Sequence, residues 1–144
     1  MVPSKRFKPV QRVAKSKEQK AAKQLGDSQK KFRDQESKLE ELKRYHQEYL
    51  EQFEANARRG MAASQLMEYR AFIGKLERAI KEQEKIVVAS RNDCSDKKET
   101  WQKKHVRTKV LDKVVDRYKA EESKASEKKD QKDTDERNQR RSSR

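Results

Sequence analysis

Three glycines and two prolines are all that this chain carries in 144 residues. Flexible linkers and turn-rich β folds need more of both, so neither describes it. One cysteine, Cys94, leaves no partner for an internal disulfide and fits a reducing compartment, with the cytoplasm as the default expectation. Aromatic residues make up 6% and hydrophobic residues 31%, too little to fill the core of a compact globule of this length. No apolar stretch approaches the roughly 20 residues that cross a bilayer. The basic start, Met1-Val2-Pro3-Ser4-Lys5-Arg6, has no apolar run behind it, so no secretory signal is expected. Phosphate-cradling glycine loops, metal-ligand clusters and nucleophile–base pairs are missing as well. His46 and His105 stand apart from each other. Catalytic, cofactor and metal sites are therefore not expected, and enzyme activity is not expected either.

What remains is charge and helix formers. Charged residues are 44% of the chain, and alanine, leucine, glutamate, glutamine, lysine and arginine, all good helix formers, dominate the sequence as a whole. Periodicity separates disorder from an elongated helical assembly. Steps of seven from Leu66 give Ile73, Ile80, Val87, Cys94, Trp101, Thr108, Val115 and Glu122. Steps of seven from Tyr69 give Leu76, Gln83, Ser90, Lys97, Lys104, Leu111, Tyr118 and Ala125. The two series are offset by three and then four residues, the a/d pattern of a coiled coil. Lys97, Lys104 and Thr108 predict looser packing in the middle of that seam. The first half repeats the pattern, with Leu25, Phe32, Leu39, His46 and Phe53 in one series. Phe7, Ala14, Ala21, Ser28, Gln35, Leu42 and Tyr49 form the other. His46 and Cys94 thus read as packed seam residues.

Between the halves lies Ala57-Arg58-Arg59-Gly60-Met61-Ala62-Ala63-Ser64. Two arginines suit the negative end of a helix dipole, and Gly60 can take the left-handed conformation that ends a helix. Ser64 is the expected N-cap of the next helix, with Glu68 in its first turn. So short a connection forces the helices antiparallel. The expected fold is all-α, two long helices forming an antiparallel coiled-coil hairpin. Helix one is placed at about 9–58, with Pro9 in its first turn, the connection at 59–64, and helix two at about 65–125. Residues 1–8 are expected to be flexible, and residues 126–144 a disordered, charged tail.

The net charge of +14 is uneven. Residues 1–31 hold ten Lys/Arg against two Asp/Glu, and residues 97–119 nine against three, while residues 32–96 hold twelve against thirteen. Folding at Gly60 would bring the two basic segments together at the open base of the hairpin. Such a base suits nucleic acid, an acidic membrane surface or an acidic protein cavity. Few aromatics interleave the basic residues, which speaks against RNA as the main ligand. A second feature lies nearer the turn. Tyr45, Phe72 and Ala79 are apolar but fall outside the seam series. With Leu42, Tyr49 and Leu76 they form stripes at helical spacing, an apolar patch on a very polar chain that reads as a docking site.

Several segments bear a family likeness. Tyr45-His46-Gln47-Glu48-Tyr49, Gly60-Met61-Ala62-Ala63-Ser64-Gln65-Leu66, Tyr69-Arg70-Ala71-Phe72-Ile73 and Leu76-Glu77-Arg78-Ala79-Ile80 resemble the bacterial flagellar export protein FliJ family. Arg6-Phe7, Ala21-Ala22, Leu25-Gly26 and Trp101-Gln102-Lys103-Lys104 are similar too, and the likeness covers residues 5–120. The resemblance implies a non-enzymatic coiled-coil stalk like that of rotary ATPases, part of flagellar type III protein export. Its partners would be the flagellar export ATPase hexamer, the membrane export-gate protein and export chaperones, at the cytoplasmic face of the inner membrane. The export-gate surface would be Leu42, Tyr45, Tyr49, Phe72, Leu76 and Ala79, with Lys38 and Gln83 in neighbouring positions. The base facing the ATPase ring would be Lys5, Arg6, Lys8, Arg12, Lys15, Lys103, Lys104, Arg107, Lys109 and Lys113. The alternative from another class is a basic coiled-coil arm that binds structured RNA, which leaves the apolar patch unexplained.

Overall fold

The computed structural model describes residues 2–143 and contains two helices, α1 (Pro3–Arg59, 57 residues) and α2 (Ala63–Ser142, 80 residues). No strand occurs among the described residues. The fold is an antiparallel coiled-coil hairpin. The turn works as its residues dictate. Gly60 is the one described residue with a positive φ, at 95°, and its N–H donates to the Ala57 carbonyl at 3.2 Å. The Leu66 N–H donates to the Ala62 carbonyl at 3.0 Å, so Ala62 holds the cap position and Ser64 lies inside α2. The expected serine cap is thereby corrected: the chain re-enters helical dihedrals two residues earlier.

The helix ends differ from the expected boundaries for physical reasons. α1 starts at Pro3, not near Pro9, because Pro3 already supplies a first-turn proline and the Val2 carbonyl accepts from Lys5 and Arg6. No acidic residue stands in the first turn of α1. Glu122 of α2 supplies the missing anion: its Oε1 accepts from the Ser4 N–H at 3.0 Å and its Oε2 from the Ser4 hydroxyl at 2.7 Å. Pro9 is then interior, and an interior proline costs about 3 kcal/mol. Anchors on both sides offset it, with Phe7 stacked on Tyr118 at 5.5 Å and Ala14 buried. α2 continues past Ala125 to Ser142, and every side chain from 123 to 143 is exposed. That stretch has no Gly or Pro to stop a helix, and its good formers (Lys, Glu, Gln and Arg) outnumber its Ser, Thr, Asn and Asp.

The chain divides into two compact units. One joins the stretch up to Ala22 with the stretch from Thr100; the other is Lys23–Glu99. In the first unit the seam is thin and partly polar. Val115 is its best-buried side chain, 1% exposed, with Ala14, Ala21 and Thr108 also buried. In the Lys23–Glu99 unit Ile73, Leu76 and Val87 are buried, and Arg91 lies over the Phe32 ring at 5.8 Å. All seam residues read from the two heptad series are buried or half-buried, up to Glu122; Ala125 alone is exposed.

Candidate functional site

In the Lys23–Glu99 unit four aromatic side chains gather beside the turn. Tyr49 meets Phe72 at 4.3 Å and Tyr69 at 6.3 Å, and Phe53 meets Tyr69 at 5.9 Å. The Asn56 amide donates to the Tyr69 hydroxyl at 2.9 Å, so the ring that faces inward has its polar atom satisfied. Around this cluster the six patch residues take unequal roles. Leu76 is buried, and Leu42, Tyr49 and Ala79 are half-buried, forming a floor. Tyr45 at 54% and Phe72 at 39% exposure carry the accessible aromatic surface. Tyr49 and Phe72 are in contact across the two helices, while Tyr45 stands out from α1.

Gln83, expected beside the patch, is buried instead. Its amide donates to the Gln35 carbonyl at 3.0 Å and to Gln35 Oε1 at 2.8 Å, so it is a polar rung of the seam and not part of a surface. Lys38 is exposed beside Asp34 and Glu41 in a shallow groove along α1. His46 is a half-buried seam residue whose Nε2–H donates to Glu77 Oε1 at 3.3 Å. Cys94 is half-buried and unbonded to another cysteine.

In the other unit all ten residues of the basic base occur together. Nine are exposed, but Lys104 is half-buried in the seam, which removes most of its side chain from that surface. The unit holds 22 Lys/Arg against 10 Asp/Glu, whereas Lys23–Glu99 holds 17 against 15. In the heptad frame Lys8 and Lys15 flank one side of the seam and Arg107 the other, so the charge surrounds the helix pair.

Three polar rungs of this unit escape a reading of apolar residues alone. Ser4 bonds Glu122, the Gln11 amide donates to Asp112 Oδ1 at 2.9 Å, and His105 Nδ1–H donates to Glu18 Oε1 at 2.6 Å. Extending the Leu25 series backwards by sevens gives Glu18, Gln11 and Ser4, which was the available signal. Trp101 stacks on His105 at 5.0 Å. The His105 hydrogen bond first, then the Thr108 hydroxyl and, less, the Lys15 charge, hold the Glu18 carboxyl below the usual range against the opposing effect of burial. The Ser4 backbone N–H first, then its hydroxyl, hold Glu122 below the usual range as well, with Lys119 and Lys5 adding to it. Among the described residues no group of side chains could hold a metal ion, and no helix is long and apolar enough to cross a membrane.

The chain is thus a coiled-coil hairpin whose surface features are an aromatic patch in one unit and a basic sleeve in the other. Within that class it belongs to the FliJ family: the family model described as Flagellar FliJ protein matches residues 4–144. Membership makes it a component of flagellar protein export, in a family that is not catalytic. Neither a curated protein nor a solved structure matches it.

Proposed function

We propose that this chain is a non-enzymatic stalk that binds the flagellar export ATPase ring, promotes its assembly and activity, and docks on the membrane export gate while handling export chaperones. It would work at the cytoplasmic face of the inner membrane, held there through its partners. The observation that carries the reading is a family match over residues 4–144 on a two-helix coiled coil. Two surfaces support the division of labour. A sleeve with charge on both sides of its seam suits a partner that encircles it, since an encircling wall meets every side at once. Tyr45 and Phe72 suit the gate, because exposed aromatics on an otherwise polar surface are the residues that anchor interfaces.

Each surface has its own test. Tyr45→Ala and Phe72→Ala are expected to weaken binding to the cognate gate protein about tenfold or more each, with far-UV circular dichroism unchanged. Wild-type affinity in both variants would remove the patch assignment. On a sizing column the chain is expected to co-elute with the cognate export ATPase, and charge reversal at Lys8, Arg12 and Lys109 to abolish co-elution. If the reversed chain still co-elutes, the sleeve is not the ring-facing surface.

A further inference from the structure

Four valines of the basic unit, Val10, Val13, Val110 and Val114, are placed on one flank. Val10 and Val13 on α1 and Val106 and Val110 on α2 are exposed, Val13 and Val110 each at 54%, and Val114 is half-buried. Counting from the seam residues Gln11 and Thr108 as position a, Val10 and Val114 take g, and Val13 and Val110 take c. In an antiparallel pair g faces g, so these four lie on the same side. The contacts Phe7–Tyr118, Gln11–Asp112 and Glu18–His105 set a register that brings Val10 level with Val114 and Val13 level with Val110. Two hollows follow this line. One of about 260 Å³ is lined by Pro9, Val10, Val13, Ala14, Lys17 and Arg107. The other, of about 220 Å³, is lined by Val110, Lys113, Val114 and Arg117. Every charged residue that lines either hollow is basic.

We propose that this valine groove is the docking site for an acidic amphipathic helix of another protein, lying along the pair as a third helix. An apolar line at g and c spacing is what the apolar stripe of such a helix fits, and Lys17, Arg107, Lys113 and Arg117 meet carboxylates on its flanks. A second copy is a poor occupant, because the unit holds 22 Lys/Arg against 10 Asp/Glu and repels its like. A lipid surface is poorer still: short valines in a hollow do not reach into a bilayer as protruding Trp, Phe or Leu do. The groove is on a different unit from the Tyr45 and Phe72 patch, and the proposal holds whether or not an ATPase ring is a partner.

The test uses the full chain and three fluorescent 21-residue peptides in 0.15 M salt. The first has a Leu/Ile stripe at i, i+3, i+4, i+7 flanked by Glu. The second has the same composition with the apolar positions scattered, and the third carries Lys in place of Glu. The first is expected to bind at least about tenfold tighter than either of the others. The Val13→Ser/Val110→Ser double variant is expected to lose about tenfold in affinity for it, with unchanged circular dichroism, and Tyr45→Ala to lose nothing. Equal binding of the scattered peptide, or wild-type affinity in the double variant, would overturn the proposal. So would self-association abolished by the double variant, or valine-dependent binding to anionic phospholipid vesicles that excludes the peptide.

Discussion

Val115 and Val110 are the same residue type five positions apart on α2, and their surroundings give them opposite roles. Val115 is 1% exposed inside a thin seam, so Val115→Ala leaves a cavity with little around it to collapse. It is expected to lower stability by about 1–3 kcal/mol in urea unfolding, against roughly 0.5 kcal/mol or less for Val110→Ala. Carboxylates make a second residue-scale case. Glu18 and Glu122 sit below the ordinary glutamate value of 4.5 in the folded chain. A depressed folded pKa contributes stability above the unfolded value, and that contribution is lost as pH falls through the folded one. The melting temperature is thus expected to drop as pH goes from about 5 towards 3. In a Glu18→Gln/Glu122→Gln variant the drop is expected to be shallower. An identical pH profile for variant and wild type would show that these rungs do not couple folding to protons.

At the scale of the element, two glycines have opposite expected responses to the same change. Gly60 sits at φ 95°, so Gly60→Ala forces a Cβ into the left-handed region at a cost of about 1 kcal/mol, although nothing crowds it. Gly26 lies inside α1 with open space around it, so Gly26→Ala is expected to stabilise by about 0.5–1 kcal/mol. Paired thermal melts check both signs. The heptad frame and the turn were legible because seven-residue steps and a lone Gly60 after two arginines admit few other readings. Placing the start of helix one at Pro9 went astray because a local signal stood in for a long-range one. The start of α1 is set by Glu122, 118 residues away from Ser4. Reading apolar residues as the seam also hid the rungs at Ser4, Gln11 and Glu18, whose side chains are satisfied only across the helix pair. Gln83 is a seam position in the heptad series and stands beside the patch only by the family resemblance; its bond to Gln35 keeps it in the seam. The valine groove lay off the seam series, at g and c, and only pairing the two helices makes one flank of it.

For the whole molecule, the Flagellar FliJ family match over residues 4–144 assigns flagellar protein export, and the uneven charge is what the proposed stalk would present to an encircling partner. If the chain is a stalk, its effect must appear on the ATPase and not only in binding. The decisive measurement is ATP hydrolysis by the purified cognate flagellar export ATPase, with and without this chain at matched salt, alongside ring formation seen by negative-stain microscopy. Stimulated hydrolysis together with more rings, both lost on charge reversal at Lys8, Arg12 and Lys109, is the expected result. Unchanged hydrolysis and unchanged ring formation at saturating chain would contradict the stalk function.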